Sequence, residues 1–308
     1  MRISSFLRKA FRLEGATLFV LLALVVTLVG VELAAGAPNG GLFYAPLLTL
    51  GVQDAGPDGD GVTRVIRVCP ANHPNETGGG AVINGDQSDL DLELKSSGPP
   101  GDIPPNAGSP GHWVLNLNNS SGSRAQATVN LVCAKGAFVY VDKTAHVAST
   151  DEGERSVTCP GRTKLAGGGT LAIGGDHTTE ISSSAPEGNG PHPDAWDGAI
   201  NTGLGGAVTL RVTAVCAKHG TYRVVRTPRI PLPNGAQIGA TARCPQRSHV
   251  SSGGVRITGL DDGLEVAASA AFDNNDGNAT PDDGWTGVGN NEGSGHTEFL
   301  QVFAVCKT

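Results

Sequence analysis

Six cysteines are the side chains of this sequence with the clearest capacity for chemistry, and they fall into three similar pairs. In each pair the first cysteine precedes a proline, and the second ends an apolar stretch such as "NLVCAK" or "TAVCAK". An exported chain would hold them as disulfides, whereas a zinc site needs C-x-x-C or paired Cys/His spacing, which this sequence lacks. If the first and last strands of each unit pair, the predicted disulfides are Cys69–Cys133, Cys159–Cys216 and Cys244–Cys306.

The other reactive side chains form no recognisable catalytic group. The eight histidines make neither H-x-H nor H-E-x-x-H pairs, and the sequence has no G-x-S-x-G elbow. Cysteines that are all paired cannot supply a nucleophile. The sequence therefore predicts a protein that is not an enzyme and that carries no cofactor.

Acidic residues cluster in three stretches that also contain Gly, of which one is "LDDG" with Asp261 and Asp262, and the other two hold the candidate calcium ligands. The stretch "DAGPDGDG" contains Asp58 and Asp60, and "FDNNDGNATPDDGW" contains Asp273 and Asp276. Carboxylates at such short spacing can bind calcium, but neither stretch has the terminal glutamate of a full calcium loop. Asp, Asn and Gly are also the residues that turns require. Turns are the favoured interpretation, calcium is the alternative, and no other metal is predicted.

The three tryptophans, Trp113, Trp196 and Trp285, each precede the second cysteine of a pair by a similar distance. Equivalent positions in repeated units favour burial in a core. The alternative is a sugar-stacking platform in each unit, because Trp196 follows "PHPDA" and Trp285 follows "PDDG", which are polar stretches able to frame a ligand.

These residues belong to a sequence motif that occurs three times. Each copy contains Cys-Pro, a glycine cluster, one tryptophan and a closing cysteine, and it begins as "CPANHPNETGGG", "CPGRTKLAGGG" or "CPQRSHVSSGG". Before the closing cysteine, apolar residues alternate with polar ones, which is the period of a half-buried strand. Glycines at the cluster suit a close approach between neighbouring strands. The pattern predicts an all-β protein with three homologous antiparallel repeats, at residues 64–150, 151–238 and 239–308.

The Cys-Pro…Gly-Gly-Gly…Trp…Ala-Val-Cys pattern resembles a small β module of exported bacterial proteins that have no assigned function. The resemblance covers about residues 64–308 and rests on structural positions, so it implies an exported β protein and transfers no catalytic residue. Threefold repetition of a small sheet is also similar in shape to the β-prism proteins, such as vitelline membrane outer layer protein I and some lectins.

Two arrangements of the repeats fit this pattern. Three sheets could close around a pseudo-threefold axis and share one core, or three β-sandwiches could follow one another in tandem. Each repeat has few aromatic residues and many glycines, so its own core would be thin. The closed prism is therefore favoured.

The N-terminus predicts one hydrophobic helix that directs the chain out of the cytoplasm. Residues 1–15 are basic, and residues 16–37 are largely apolar, with Glu32 near their end. That length suits a transmembrane anchor, since about 20 helical residues span a bilayer core. A cleaved signal peptide is the alternative. Both place the body in the periplasm or outside the cell, because the positive flank stays inside.

Residues 38–63 form a linker with an apolar foot, which lies next to the predicted membrane segment. Its apolar residues are Leu42, Phe43, Tyr44, Leu47 and Leu48. One interpretation is a strand packed on the first repeat. The other is an interfacial contact with lipid or a membrane partner, with aromatic rings at headgroup level.

The net charge of −7 argues against nucleic acid as a partner. We therefore expect a non-catalytic structural or accessory subunit of a membrane or envelope complex, anchored through residues 16–37. A secreted carbohydrate-binding protein with a glycan partner is the alternative.

Overall fold

The computed structural model describes residues 41–52, 62–84, 92–100, 111–119, 125–188, 190–203, 206–259, 261, 263–274, 278 and 280–308. In these residues it contains twenty β-strands and no helix. No helix long and apolar enough to cross a bilayer occurs among them. The helix predicted at residues 16–37 lies outside the described residues, as do Asp58, Asp60 and Asp276.

The strands follow the repeats along the chain. The foot and the first repeat form β1 (Leu42–Tyr44), β2 (Leu48–Val52), β3 (Val62–Val68), β4 (Asn75–Asn84), β5 (Leu92–Gly98), β6 (His112–Asn119), β7 (Ala125–Ala134) and β8 (Phe138–Val147). The second repeat forms β9 (Glu152–Thr158), β10 (Lys164–Gly174), β11 (Glu180–Glu187), β12 (Ala195–Asn201), β13 (Val208–Ala217), β14 (Tyr222–Arg226) and β15 (Ile230–Leu232). The third forms β16 (Ala236–Arg243), β17 (His249–Ile257), β18 (Leu264–Phe272), β19 (Gly284–Asn291) and β20 (Glu298–Lys307).

The strands form three antiparallel sheets, which confirms the prediction of an all-β protein. Sheet I has the order β1-β7-β4-β18-β19-β16, and β2 also pairs with β7. Sheet II has the order β3-β6-β5-β10-β13-β8. Sheet III has the order β14-β20-β17-β11-β12-β9, and β15 also pairs with β20.

Every sheet combines strands from two repeats. In the first repeat, β4 and β7 belong to sheet I, whereas β3, β5, β6 and β8 belong to sheet II. The outer strands β8, β14 and β15 of one repeat pair with β13 or β20 of the next repeat. The central junctions between repeats pair β4 with β18, β5 with β10, and β11 with β17. Tandem sandwiches, each made by one repeat, are therefore not the structure of this chain.

Glycine permits the close approach at these junctions. A Cβ atom on Gly80 would lie 1.7 Å from the carbonyl oxygen of Ser269, and one on Gly254 would lie 1.9 Å from that of Ser184. At the third junction, a Cβ on Gly169 would lie 2.4 Å from Gly98 Cα. Distances this short are repulsive, so the backbones can meet here only in the absence of a side chain.

In each glycine cluster, the residue directly before the junction glycine is also a glycine, and it packs against a tryptophan. A Cβ on Gly253 would lie 2.2 Å from Trp285 Cγ, and Gly168 and Gly79 face Trp196 and Trp113 in the same way. The indole nitrogens donate to serine hydroxyls at Trp113–Ser97 (3.1 Å), Trp196–Ser184 (3.2 Å) and Trp285–Ser269 (2.8 Å). Each repeat thus buries a large ring and satisfies its polar atom.

The three disulfides join the same cysteines that the sequence predicts: Cys69–Cys133, Cys159–Cys216 and Cys244–Cys306. The expected reason was wrong, because the strands that flank each bond do not pair with each other. The first cysteine follows β3, β9 or β16, and the second lies on β7, β13 or β20. The bonds therefore connect sheets II and I, III and II, and I and III.

The glycine–tryptophan contact predicts a steep response to one added methyl group. We expect Gly253→Ala to lower the free energy of unfolding by about 1–3 kcal/mol, because the core must shift to accommodate it. Gly51→Ala is the matched control, since Gly51 also lies in a strand and has no atom within 4 Å of the added Cβ. Denaturant unfolding with the disulfides intact measures both, and equal stability of the two variants would contradict the packing.

Candidate functional site

The apolar foot divides into a packed part and an exposed part. Leu42 is buried on β1, and the hydroxyl of Tyr44 donates to the carbonyl oxygen of Val250 at 2.6 Å. Leu47 and Leu48 instead expose 56% and 38% of their surface. The strand interpretation therefore holds for Leu42, Phe43 and Tyr44. It also holds for Leu48, which begins β2 and pairs with Val129 on β7. The contact interpretation is left with the exposed side chains of Leu47 and Leu48.

A second exposed apolar pair, Ile66 and Val68, lies on edge strand β3, and both residues are about half exposed. The guanidinium of Arg67 donates to the carbonyl oxygen of Pro46 at 2.7 Å, which holds the segment before Leu47 beside β3. We call Leu47, Leu48, Ile66 and Val68, which flank this border between sheets I and II, the apolar patch. Exposed apolar side chains that are grouped on a surface are candidates for contact with another molecule.

The tryptophans do not form sugar-stacking platforms. Trp113 is 1% exposed, and Trp196 and Trp285 are completely buried. Their ring faces lie against glycine backbone and are closed to a ligand. The core interpretation is correct, and the ligand-stacking hypothesis for Trp113, Trp196 and Trp285 is wrong.

Two carboxylates of the acidic stretch near residue 280 have protein partners. Asp283 accepts a hydrogen bond from the backbone NH of Asn274 at 2.8 Å, which is a contact within the stretch and fits a turn. Asp282 instead lies 2.8 Å from His249 Nδ1, at the start of β17. Asp273 is half-buried after the end of β18.

Sequence reasoning missed a group of three glutamates, one from each repeat, that the fold brings together. Glu93, Glu180 and Glu265 place carboxylate oxygens within 4.8 Å of one another. Glu93 and Glu265 are 3% and 2% exposed, and Glu180 is half-buried. We call these three residues the glutamate cluster. They lie near the starts of β5, β11 and β18, so each sheet contributes one carboxylate.

An asparagine faces each glutamate across its sheet. The directly opposed pairs are Glu93–Asn118, Glu180–Asn201 and Glu265–Asn290. Directly opposed residues of antiparallel strands place their side chains on one face. Asn118 Nδ2 lies 3.3 Å from Glu93 Oε2, so this amide borders the cluster.

The asparagines also connect neighbouring repeats. Asn118 Nδ2 donates to the carbonyl oxygen of Thr179 at 3.0 Å, and Asn201 Nδ2 donates to that of Asp261 at 3.0 Å. Among the described residues, no donor reaches the buried Oε2 atom of Glu265. One oxygen of the cluster itself is therefore a buried acceptor without a hydrogen bond.

The charges that raise the pKa values of Glu93 and Glu265 come from other glutamates. Burial, followed by the charges of Glu265 and Glu292, holds the pKa of Glu93 well above its ordinary value. The pKa of Glu265 is raised well above its ordinary value by burial and then by Glu180 and Glu292. The ammonium of Lys95, on the same strand as Glu93, instead donates to the carbonyl oxygen of Gly175. The cluster can therefore hold protons or a cation.

A signal for this cluster exists in the sequence. Each repeat contains Trp-x-x-x-x-Asn, which gives Asn118, Asn201 and Asn290. On the strand before each of these asparagines, the residue that pairs with it is one of the three glutamates. The signal is weak, because Glu180 stands closer to its tryptophan than Glu93 and Glu265 stand to theirs.

A second acidic group lies on the surface and already contains a basic partner. His296 Nε2 is 2.7 Å from Glu298 Oε1 and 3.2 Å from Asp261 Oδ2. Asp261 and His296 are exposed. Contacts of this kind are common between exposed charges and contribute little.

The first repeat contains a buried carboxyl that the others lack. Glu76 is 2% exposed and lies on β4 opposite Cys133, where the other repeats have Leu165 and Val250. Burial raises the pKa of Glu76 from 4.5 to about 8, against weaker opposing hydrogen bonds from its own backbone and from Tyr140. This acid is therefore protonated in the folded protein at neutral pH.

Comparison with known proteins identifies no family. No family model matches the chain, and no curated protein matches it. A chain from "The Triple Jelly Roll Fold and Turret Assembly in an Archaeal Virus" aligns over 79% of this chain and 81% of its own length, at 12% identity. Its TM-score is 0.19, which is too low to indicate a common fold.

The buried Glu76 predicts a pH-dependent stability. Its folded-state pKa lies above the unfolded value, so its contribution is complete below about pH 4.5 and is lost as the pH rises toward about 8. One pKa unit corresponds to about 1.4 kcal/mol, so the loss amounts to a few kcal/mol. We expect Glu76→Gln to be more stable than the wild type at pH 8, by a margin that disappears near pH 5.

Thermal melting of both proteins from pH 5 to pH 8, at about equal ionic strength, measures this margin. The wild type serves as the reference for all other titrating groups, since only Glu76 differs. Parallel curves for the two proteins would show that Glu76 is ionised in the folded state.

Proposed function

We propose that this chain is a non-catalytic structural or accessory subunit of a membrane or envelope complex, with its β body outside the cytoplasm. The observation that supports this best is the set of three disulfides, each joining two different sheets. Disulfides persist in oxidising compartments and are rare in the cytosol. A β protein whose sheets are joined by disulfides is suited to export, where it can contribute a rigid surface to a complex.

We further propose that the three sheets close into a pseudo-threefold prism. At one sheet border, Lys143 on β8 donates to the carbonyl oxygen of Ser156 on β9, at 2.9 Å. At a second border, Arg67 on β3 donates to Pro46, which lies between β1 and β2. At the third, β16 packs against β14 and β15. Closure would leave few free sheet edges, which protects an extracellular β protein from aggregation.

The attachment to the membrane rests on residues 16–37 and on the apolar patch. The apolar segment has the length of an anchor, and the foot follows it directly. Leu47 and Leu48 would then lie near the bilayer surface, where they can contact a membrane partner. The lectin alternative relied on sugar stacking by the three tryptophans, and these side chains are buried.

The apolar patch predicts which substitution should release a membrane partner. We expect the double variant Leu47→Ser/Leu48→Ser to lose a co-purifying membrane protein when the full chain is isolated in mild detergent. Ile173→Ser is the matched control, because Ile173 is 43% exposed on a strand of sheet II that belongs to the second repeat. Elution of the wild type as a lone monomer would contradict the proposal, as would equal partner recovery from both variants.

A further inference from the structure

We propose that the glutamate cluster is a binding site for a divalent cation, and that calcium is the cation it fits best. The site differs from the Asp-rich stretches considered above, and it stands independently of the proposed membrane role. Three features support the site: the spacing of the carboxylates, a buried carboxylate oxygen without a donor, and the surrounding charge.

The spacing of the carboxylates matches a shared ion. Oxygen ligands bind calcium at about 2.3–2.6 Å, so two ligands on opposite sides of one ion are about 5 Å apart. The oxygens of Glu93, Glu180 and Glu265 lie within 4.8 Å of one another. All three can therefore reach one central ion without a change in the strands that carry them.

A buried carboxylate oxygen without a donor provides a second observation. Glu265 is 2% exposed, and its Oε2 atom is buried and accepts no hydrogen bond from the described residues. A buried acceptor without a donor is costly, and native proteins rarely retain one without a reason. A cation at the cluster would give this oxygen a partner.

The donor set selects the type of ion. Carboxylate and amide oxygens are hard ligands, which calcium prefers, and sites with several such oxygens accept its flexible geometry. Histidine and cysteine, the usual ligands of zinc, are absent from the cluster. Calcium at millimolar concentration outside cells suits sites of modest affinity.

The ionised form of the cluster also favours a positive partner. The charges that act on Glu93 and Glu265 come from other glutamates, which include the exposed Glu292. Repulsion among carboxylates at this distance is large in a buried site. A divalent ion would remove this repulsion and connect one strand of each sheet. Binding should therefore stabilise the folded protein.

Calcium binding to the full chain in detergent tests this proposal directly. We expect isothermal titration calorimetry to show one calcium ion per chain after the protein has been treated with a chelator. We also expect calcium at about 5 mM to raise the melting temperature by about 3 °C or more. In Glu180→Gln, which removes one charge at the most accessible member of the cluster, affinity should fall at least about tenfold.

Two controls assign the ion to this cluster. Glu154→Gln makes the same change at an exposed glutamate of sheet III, and Glu298→Gln disrupts the surface group with His296. Both variants should bind calcium with wild-type affinity. Absence of binding by the wild type would overturn the proposal, and so would unchanged affinity in Glu180→Gln or loss of binding in Glu298→Gln. A protonated cluster without an ion would be recognised by Glu180→Gln melting at a higher temperature than the wild type while neither protein responds to calcium.

Discussion

The close backbone approach between repeats is the contact on which the rest of this structure depends. At Gly80, Gly169 and Gly254, a strand of one repeat lies so near a strand of another that no Cβ atom fits between them. Each of these junctions pairs two residues on each strand, and longer pairings between repeats, β8 with β13 and β14 with β20, complete the shared sheets. Because all three repeats do this, none of them has a sheet of its own.

Shared sheets explain why the same residue types recur at the same places. The glycine before each junction accommodates a tryptophan ring, whose nitrogen is satisfied by a serine of the junction strand. The disulfides then tie each pair of sheets together. In the chain-entropy model, a loop of about 60 residues gives such a bond about 4 kcal/mol. The arrangement also brings the starts of β5, β11 and β18 together, which places three glutamates in one cluster.

The sequence predicts where the strands of this protein lie better than it predicts which strands pair with each other. Alternation before Cys133 and Cys216 identifies strands, and the repeat indicates which cysteines join. Which sheet a strand enters depends on contacts between repeats. The shared motif of the three repeats does not indicate which strands of different repeats will pair. Burial of Trp196 was equally undecidable, because the polar residues before it suit a ligand site as well as a turn. The glutamate cluster arises only from the convergence of three sheets, so no single repeat contains it.

Cleavage of the chain between repeats tests the shared sheets most directly. The exposed turn at residues 148–151 joins β8 to β9, and no disulfide crosses it. A protease site inserted there would leave two fragments that only strand pairing and packing hold together. We predict that the cleaved protein elutes as one body and unfolds in a single transition. Separation under native conditions into two fragments that each remain folded would show that the repeats are independent, and would contradict this account.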